Sequence, residues 1–135
     1  QYLKRGEDFI TPEGEIVANE LLTVAPPPAR SFAYMTDTLF RERFADYVRG
    51  VDLLYHEATY MNADAVLAKE SYHSTTGQAA RIAELAGVGK LLLGHFSARY
   101  TECSELLAEA REVFPNTFLC SDGDFFEVPA VKRRS

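Results

Sequence analysis

From residue 31 onward, short apolar runs alternate with segments whose apolar residues recur at helical spacing. Three runs have the length and composition of buried strands: SFAYMT (31–36), VDLLYH (51–56) and KLLLGH (90–95). Two more short strands are predicted near the end, TFLCS (117–121) and DFFEVP (124–129). Strands that alternate with helices favour parallel pairing through right-handed crossovers. The pattern therefore predicts an α/β fold.

The segments between these strands carry helix signals. Apolar residues from Phe40 to Val48 predict a helix ended by Gly50, and a weaker helical segment covers residues 62–69. Thr75, with Gln78 three residues later, resembles a capping box that begins a helix ended by Gly87.

The last predicted helix begins at a Thr101 cap and stops at Pro115.

The first 30 residues follow a different pattern. Residues 15–24 read as a strand, and three successive prolines at residues 26–28 predict a rigid loop. We therefore expect residues 1–30 to be a strand and Pro-rich lead-in, residues 31–129 to form the main αβ unit, and residues 130–135 to be a frayed basic tail.

Composition narrows the class of protein. With 135 residues, 47% hydrophobic and 25% charged, the chain is about one globular domain. The net charge of −6 argues against nucleic-acid binding by the whole surface but allows a local basic patch. No apolar run approaches 18 residues, so we expect no membrane span.

Cys103 and Cys120 lack metal-type spacing and are expected to be free thiols of a cytoplasmic protein. The start at Gln1 rather than Met suggests a fragment or a processed chain.

Ionisable residues follow the predicted strands at the edge where ligands bind in open α/β sheets. Asp37, Glu57 and His95 follow strands, and His73 opens a helix on the same side. Such residues can build a metal site or an acid–base pair. Each also has a structural interpretation: Asp37 could cap a helix, and a lone histidine at a strand end is commonly structural. Spacing alone leaves both interpretations open.

Three sequence segments together add a resemblance to a known protein family. LLYHEATY (53–60), YHSTTGQAARIA (72–83) and LLLGHFSARY (91–100) together resemble the carboxyl-terminal half of the ribonuclease Z family, tRNA 3′-processing endonucleases of the metallo-β-lactamase superfamily. SFAYMTDT resembles that family's strand ending in an aspartate–threonine pair. The resemblance covers about residues 6–129.

The resemblance implies a fold and a set of roles. The fold would be the second half of a metallo-β-lactamase-like αββα sandwich, with a mixed, mostly parallel sheet and helices on one face. Asp37 resembles the aspartate that bridges two zinc ions, and His95 the last histidine ligand. His73 resembles a non-ligand histidine that faces the scissile phosphate, and Glu57 the acidic partner that orients it.

Two further residues are weighed beside these. Arg99 is a candidate contact to substrate phosphate, although a surface salt bridge explains it equally well. His56 has no ligand role in the resemblance, and its side chain should point away from that of Glu57 on the strand. We expect His56 to be a buried structural histidine.

The sequence departs from the family in one large respect. The motif His-x-His-x-Asp-His is absent, because the chain has three histidines and none has that spacing. The resemblance therefore implies a zinc-dependent endoribonuclease that acts on precursor tRNA, of which this chain alone would be inactive and bind zinc weakly. Its apolar inner sheet face, unpaired, would favour a homodimer.

Two alternatives stay open. One is another phosphodiesterase of the metallo-β-lactamase fold, which activity on small diesters would reveal. The other is a metal-free interaction module, against which the intact Asp37, Glu57, His73 and His95 argue.

Overall fold

The amino-terminal residues form a small unit of short elements in the computed structural model, which describes residues 2–129. The predicted tail at 130–135 lies outside this range. A 3₁₀ helix (Tyr2–Arg5) precedes an antiparallel pair, β1 (Phe9–Ile10) and β2 (Ile16–Val17), followed by α1 (Asn19–Leu22).

The long strand predicted for residues 15–24 is wrong beyond its first residues. The backbone N–H of Asn19 donates to Asp8, and its side-chain amide donates to the carbonyls of Leu3 and Glu7. These bonds hold the chain in the helical turn α1. To continue as a strand, the same residues would need a neighbouring strand as their hydrogen-bond partner.

The central sheet confirms the predicted α/β class. Its strands lie in chain order and every neighbouring pair is parallel. They are β3 (Phe32–Met35), β4 (Leu53–Glu57), β5 (Lys90–Gly94) and β6 (Thr117–Leu119).

Helical segments connect the strands and form a layer against the sheet. They are the 3₁₀ segments Glu42–Val48 and Asn62–Asp64, α2 (Ala65–Glu70), α3 (Thr76–Ala86) and α4 (Cys103–Val113). α3 contacts β4, β5, the segment Glu42–Val48 and α4, and α4 also contacts β6. Because the strand order follows the chain order, successive right-handed crossovers place these segments on one face.

α3 begins and ends as its sequence predicts. Thr75 accepts from the backbone of Gln78, whose side chain accepts from the backbone of Thr75, which completes the capping box. Gly87 ends the helix in the left-handed conformation, with φ of 61°. Ile82 of α3 packs in the core with Leu54 and other buried residues of the sheet.

Three predicted elements differ from the structure. Residues 40–48 contain a 3₁₀ helix rather than an α-helix; its buried residues, Ala45 and Val48, are three apart, the spacing that a 3₁₀ helix aligns. Thr101 does not cap α4, since the cap position is Glu102 and no side-chain cap bond forms. Residues 124–129 are not a strand, so the four-stranded sheet is parallel rather than mixed.

The sheet face away from the helices is only partly covered. Phe32 and Tyr34 of β3 are 55% and 61% exposed there. Tyr34 stacks on Tyr55 with ring centroids 4.5 Å apart, and burial together with Tyr34 raises the pKa of Tyr55 to about 12. The carboxyl-terminal residues Phe126 and Val128 border a cavity of about 360 Å³ on this face.

Within residues 2–129, no helix has both the length and the apolar character needed to cross a membrane.

Candidate active site

The four ionisable residues predicted to share a rim do meet there. Asp37 follows β3 by two residues, Glu57 is the last residue of β4, and His95 directly follows β5. His73 comes from the loop between α2 and α3. The parallel register brings the ends of β4 and β5 together, with Glu57 beside Gly94.

Asp37, His73 and His95 form a compact donor group. Asp37 Oδ1 lies 3.8 Å from His95 Nε2 and 4.0 Å from His73 Nδ1. The two imidazole rings stack with centroids 5.2 Å apart. Each residue offers one potential ligand atom, and these atoms lie within 4.8 Å of one another.

This donor group fits a zinc ion. Imidazole nitrogen and carboxylate oxygen are both zinc ligands, with bonds of about 2 Å, so atoms 3.8 Å apart can meet one ion. A carboxylate can also bridge two ions through its two oxygens. The side chain of Asp37 is 64% exposed and that of His95 49%, so both donors are open to an arriving ion.

Both expected ligands sit on unusual backbone. Asp37 has φ of 47° and His95 φ of 59°, in the left-handed region that non-glycine residues rarely occupy. Each such residue costs of order 1–3 kcal/mol, and such strain clusters at functional sites. Asp37 is not a helix cap, since the next helical segment begins at Glu42.

Glu57 is fully buried behind the donor group, and its carboxylate is surrounded by hydrogen-bond donors. Oε1 accepts from the backbone N–H of Ser74 at 2.7 Å, from that of Thr38 at 3.3 Å and from His73 Nδ1 at 3.2 Å. Oε2 accepts from the backbone N–H of Thr59 at 2.9 Å and from its hydroxyl at 2.8 Å. A buried carboxylate needs such partners to offset its lost hydration.

The contact between Glu57 and His73 agrees with the predicted pairing. Glu57 engages His73 through Nδ1, which leaves Nε2 as the nitrogen available for other partners. The side chain of His73 is 20% exposed, so the ring is held by protein while keeping access to solvent.

His56 has the structural role expected for it. It is 1% exposed and lies on the core face of β4, in register with Met35 and Leu93. Its Nδ1 donates to the backbone carbonyl of Glu57 at 2.7 Å. Burial lowers the pKa of His56, which favours the neutral ring.

Arg99 forms the surface ion pair that the sequence left as one of two possibilities. Its guanidinium lies 3.3 Å from Asp64, and its Cζ lies 5.5 Å from the centroid of the Tyr60 ring. Tyr60 in turn meets His73 edge-on, with centroids 6.3 Å apart. A role of Arg99 in binding phosphate stays a prediction.

Sequence reasoning missed the residues that support Glu57. Thr59 hydrogen-bonds both Glu57 and His95, and the Ser74 hydroxyl donates to the Thr38 carbonyl at 2.6 Å. One signal in the sequence could have indicated Thr59: it comes two residues after Glu57, on the rim beyond β4.

Comparison with known proteins finds related sequences. Residues 21–96 match the family model described as the β-lactamase superfamily domain. Ribonuclease Z of Bacteroides fragilis (strain YCH46) is 52% identical over 120 residues, which are 89% of this chain and 40% of the relative. The chain thus spans about two fifths of the length of the curated relatives it matches.

Two solved structures share the fold. The metallo-β-lactamase fold protein YhfI of Bacillus subtilis has a TM-score of 0.66 and 26% identity, covering 71% of this chain and 39% of that protein. The short form of human tRNase Z has a TM-score of 0.57 and 28% identity, covering 84% and 37%.

Proposed function

The chain belongs to the β-lactamase superfamily, and we propose that it forms part of a zinc-dependent endoribonuclease that removes the 3′ trailer from precursor tRNA. The observation that carries the proposal is the convergence of Asp37, His73 and His95 at one rim, with Glu57 buried behind His73. The similarity to proteins named ribonuclease Z supports the choice of substrate.

Asp37 and His95 are the residues that would hold zinc in this chain. Zinc, when bound, supplies Lewis-acid activation of water and of the scissile phosphate. The Asp37 carboxylate can serve two ions, and His95 presents Nε2 toward Asp37. We expect the remaining ligands of a two-zinc site to come from a His-x-His-x-Asp-His segment elsewhere in a longer protein.

His73 is assigned to the leaving group. In the cleavage, water loses a proton to a base that we expect in the His-x-His-x-Asp-His segment, and its oxygen bonds to phosphorus. The bond from phosphorus to the tRNA 3′-oxygen breaks, and that oxygen needs a proton. His73 is held by Glu57 through Nδ1, so its Nε2 can donate this proton.

The proposal includes partner and location. Precursor tRNA is the macromolecular partner, and its main binding surface would lie outside this acidic chain. Cytoplasmic placement accords with Cys103 and Cys120, both free thiols in the structure.

A graft tests the proposal directly. This chain would replace the matched 120-residue region of the Bacteroides fragilis ribonuclease Z, to which it is 52% identical. The grafted protein is expected to cleave precursor tRNA at the 3′ end of the mature sequence and to bind zinc.

The substrate panel separates the alternatives. Cleavage of a small phosphodiester without cleavage of precursor tRNA would favour a general phosphodiesterase. A folded graft that neither binds zinc nor cuts either substrate would favour a metal-free module. Glu112→Gln, a substitution at an exposed position of α4, is the matched control for effects of substitution and purification that do not involve the site.

A further inference from the structure

The Thr59 hydroxyl lies between the buried carboxylate and the outermost histidine of the rim. Its Oγ1 is 2.8 Å from Glu57 Oε2 and 2.9 Å from His95 Nδ1. Thr59 is 6% exposed, and its backbone N–H donates to the same Oε2 at 2.9 Å. The hydroxyl is therefore held in place on both sides.

Counting protons assigns the direction of each bond. An ionised carboxylate accepts hydrogen bonds and donates none, so the single hydroxyl hydrogen of Thr59 goes to Glu57. The hydroxyl oxygen can then only accept from His95 Nδ1, which must carry a hydrogen. In a neutral imidazole with a proton on Nδ1, Nε2 has the free lone pair.

We propose that Thr59 is a positioning residue that, through Glu57, fixes His95 in the Nδ1–H tautomer with Nε2 turned toward Asp37. Nε2 is the atom found 3.8 Å from Asp37 Oδ1. The hydrogen bond also fixes the orientation of the ring. The consequence for metal binding rests on the proposed function, whereas the tautomer can be measured without metal or RNA.

The same carboxylate thereby orients both rim histidines. Oε1 holds His73 directly, and Oε2 holds His95 through Thr59. Partners behind a ligating histidine commonly contribute about 10–100-fold to metal affinity, because they select the tautomer and orient the ring. Thr59→Val should remove this contribution and leave the direct bond between Glu57 and His73.

The choice of variants isolates the hydroxyl. Thr59→Val keeps the branched shape and the backbone N–H bond to Glu57, and Thr59→Ser keeps the hydroxyl. Thr117→Val is the matched control, because Thr117 is also a buried threonine and its hydroxyl donates to the Phe114 carbonyl at the start of β6, away from the rim.

The test is a ¹H–¹⁵N correlation spectrum of the histidine rings at about pH 8.5, above the ordinary imidazole pKa of about 6.5. The chain has three histidines, and His95→Gln identifies the His95 signals by their loss. In the wild-type chain, Thr59→Ser and Thr117→Val, His95 should carry its proton on Nδ1. In Thr59→Val its proton should move at least partly to Nε2, while His56 and His73 keep theirs.

A second measurement connects the tautomer to metal. In the grafted protein, zinc affinity should fall about 10–100-fold in Thr59→Val and remain near wild type in Thr59→Ser and Thr117→Val. A wild-type His95 protonated on Nε2, or a tautomer that Thr59→Val does not alter, would overturn the inference even if the graft is active. If Thr59→Val fails to fold, the wild-type and Thr59→Ser spectra still decide the tautomer. An inactive graft with the expected tautomer would count against the proposed function alone.

Discussion

Glu57 accepts a hydrogen bond from His73 Nδ1 at 3.2 Å while being fully buried. The contact joins a carboxylate at the end of β4 to an imidazole sixteen residues later in the chain. Three backbone N–H groups and the Thr59 hydroxyl donate to the same carboxylate. Glu57 therefore serves both the local structure of the rim and the orientation of its histidines.

Replacing Glu57 with Gln tests this double role. The glutamine amide keeps the shape of the side chain. Its NH₂ group, however, takes the place of a carboxylate oxygen that is surrounded by hydrogen-bond donors, so donor would face donor. We expect a loss of about 1–3 kcal/mol in the free energy of unfolding, because buried donors lose their acceptor. Urea denaturation measures it, with exposed Glu112→Gln as the control. Equal stability of the two variants would contradict the buried role.

Ligand and general acid can be separated in the grafted protein. Asp37→Ala should lose zinc and activity together. His73→Ala should keep its zinc while turnover falls by about 10²–10⁴-fold, the usual contribution of a general acid. Metal content and single-turnover cleavage of precursor tRNA are measured on the same samples. Loss of zinc from His73→Ala would make His73 a ligand, a role that its place in the donor group also permits.

The 135-residue chain alone should not cleave precursor tRNA and should bind zinc weakly. Catalytic zinc sites commonly use three protein ligands per ion, and here Asp37 and His95 are the two expected ligands. Affinity also depends on a preformed site. Equilibrium dialysis against zinc, beside the same measurement on Asp37→Ala, checks the expectation. Tight stoichiometric binding that Asp37→Ala abolishes would contradict it.

His56 should make the fold sensitive to acid. Its pKa is lowered in the folded state by burial, so below about pH 6.5 the unfolded chain takes up a proton that the folded chain resists. The stability that His56 contributes is thus present above that pH and is lost as the pH falls toward its folded-state pKa.

Urea denaturation between about pH 7.5 and pH 5 measures this effect. His56→Gln should lose less stability on acidification than the wild-type chain. His95→Gln, which removes a half-exposed imidazole, controls for the change of residue. Parallel pH dependences in the wild-type chain and His56→Gln would show that this ring does not contribute.

The exposed face of the sheet should promote the homodimer expected from the sequence. Phe32 and Tyr34 lie two residues apart on the same face of β3, and both are more than half exposed. Aromatic side chains dominate interface energetics. The double variant Phe32→Ser, Tyr34→Ser should weaken self-association at least about tenfold in analytical ultracentrifugation. Tyr47→Ser, at a tyrosine 80% exposed in the segment Glu42–Val48, is the control. A wild-type chain that remains monomeric at high concentration would contradict the prediction.

Local signals in the sequence were sufficient for the four strands of the central sheet and for α3. The apolar runs predicted β3, β4, β5 and β6, and the pair Thr75–Gln78 predicted the start of α3. These features act between residues close in the chain, through side-chain burial and capping bonds. The alternation of strand and helix was also sufficient for parallel pairing, and hence for a shared rim.

Elements whose conformation depends on distant partners were not predictable in this way. Residues 124–129 have strand-like composition but do not pair with any strand of the sheet. The Val128 carbonyl instead accepts a hydrogen bond from the Arg30 side chain. Residues 40–48 have helical spacing but pack as a 3₁₀ segment against α3. A periodic pattern records which side chains are apolar, and it does not record the backbone partner that completes an element.

The sequence by itself determined which ionisable residues reach the rim, since each lies at the end of a strand, just after one, or in the loop before α3. Only the tertiary structure decided how they are connected: Glu57 between His73 and Thr59, and Thr59 against His95. The reason is physical. A hydrogen bond depends on the direction and separation of two atoms to within a few tenths of an ångström. Residues 16 and 36 positions apart acquire that geometry only when packing sets the strands and loops in place.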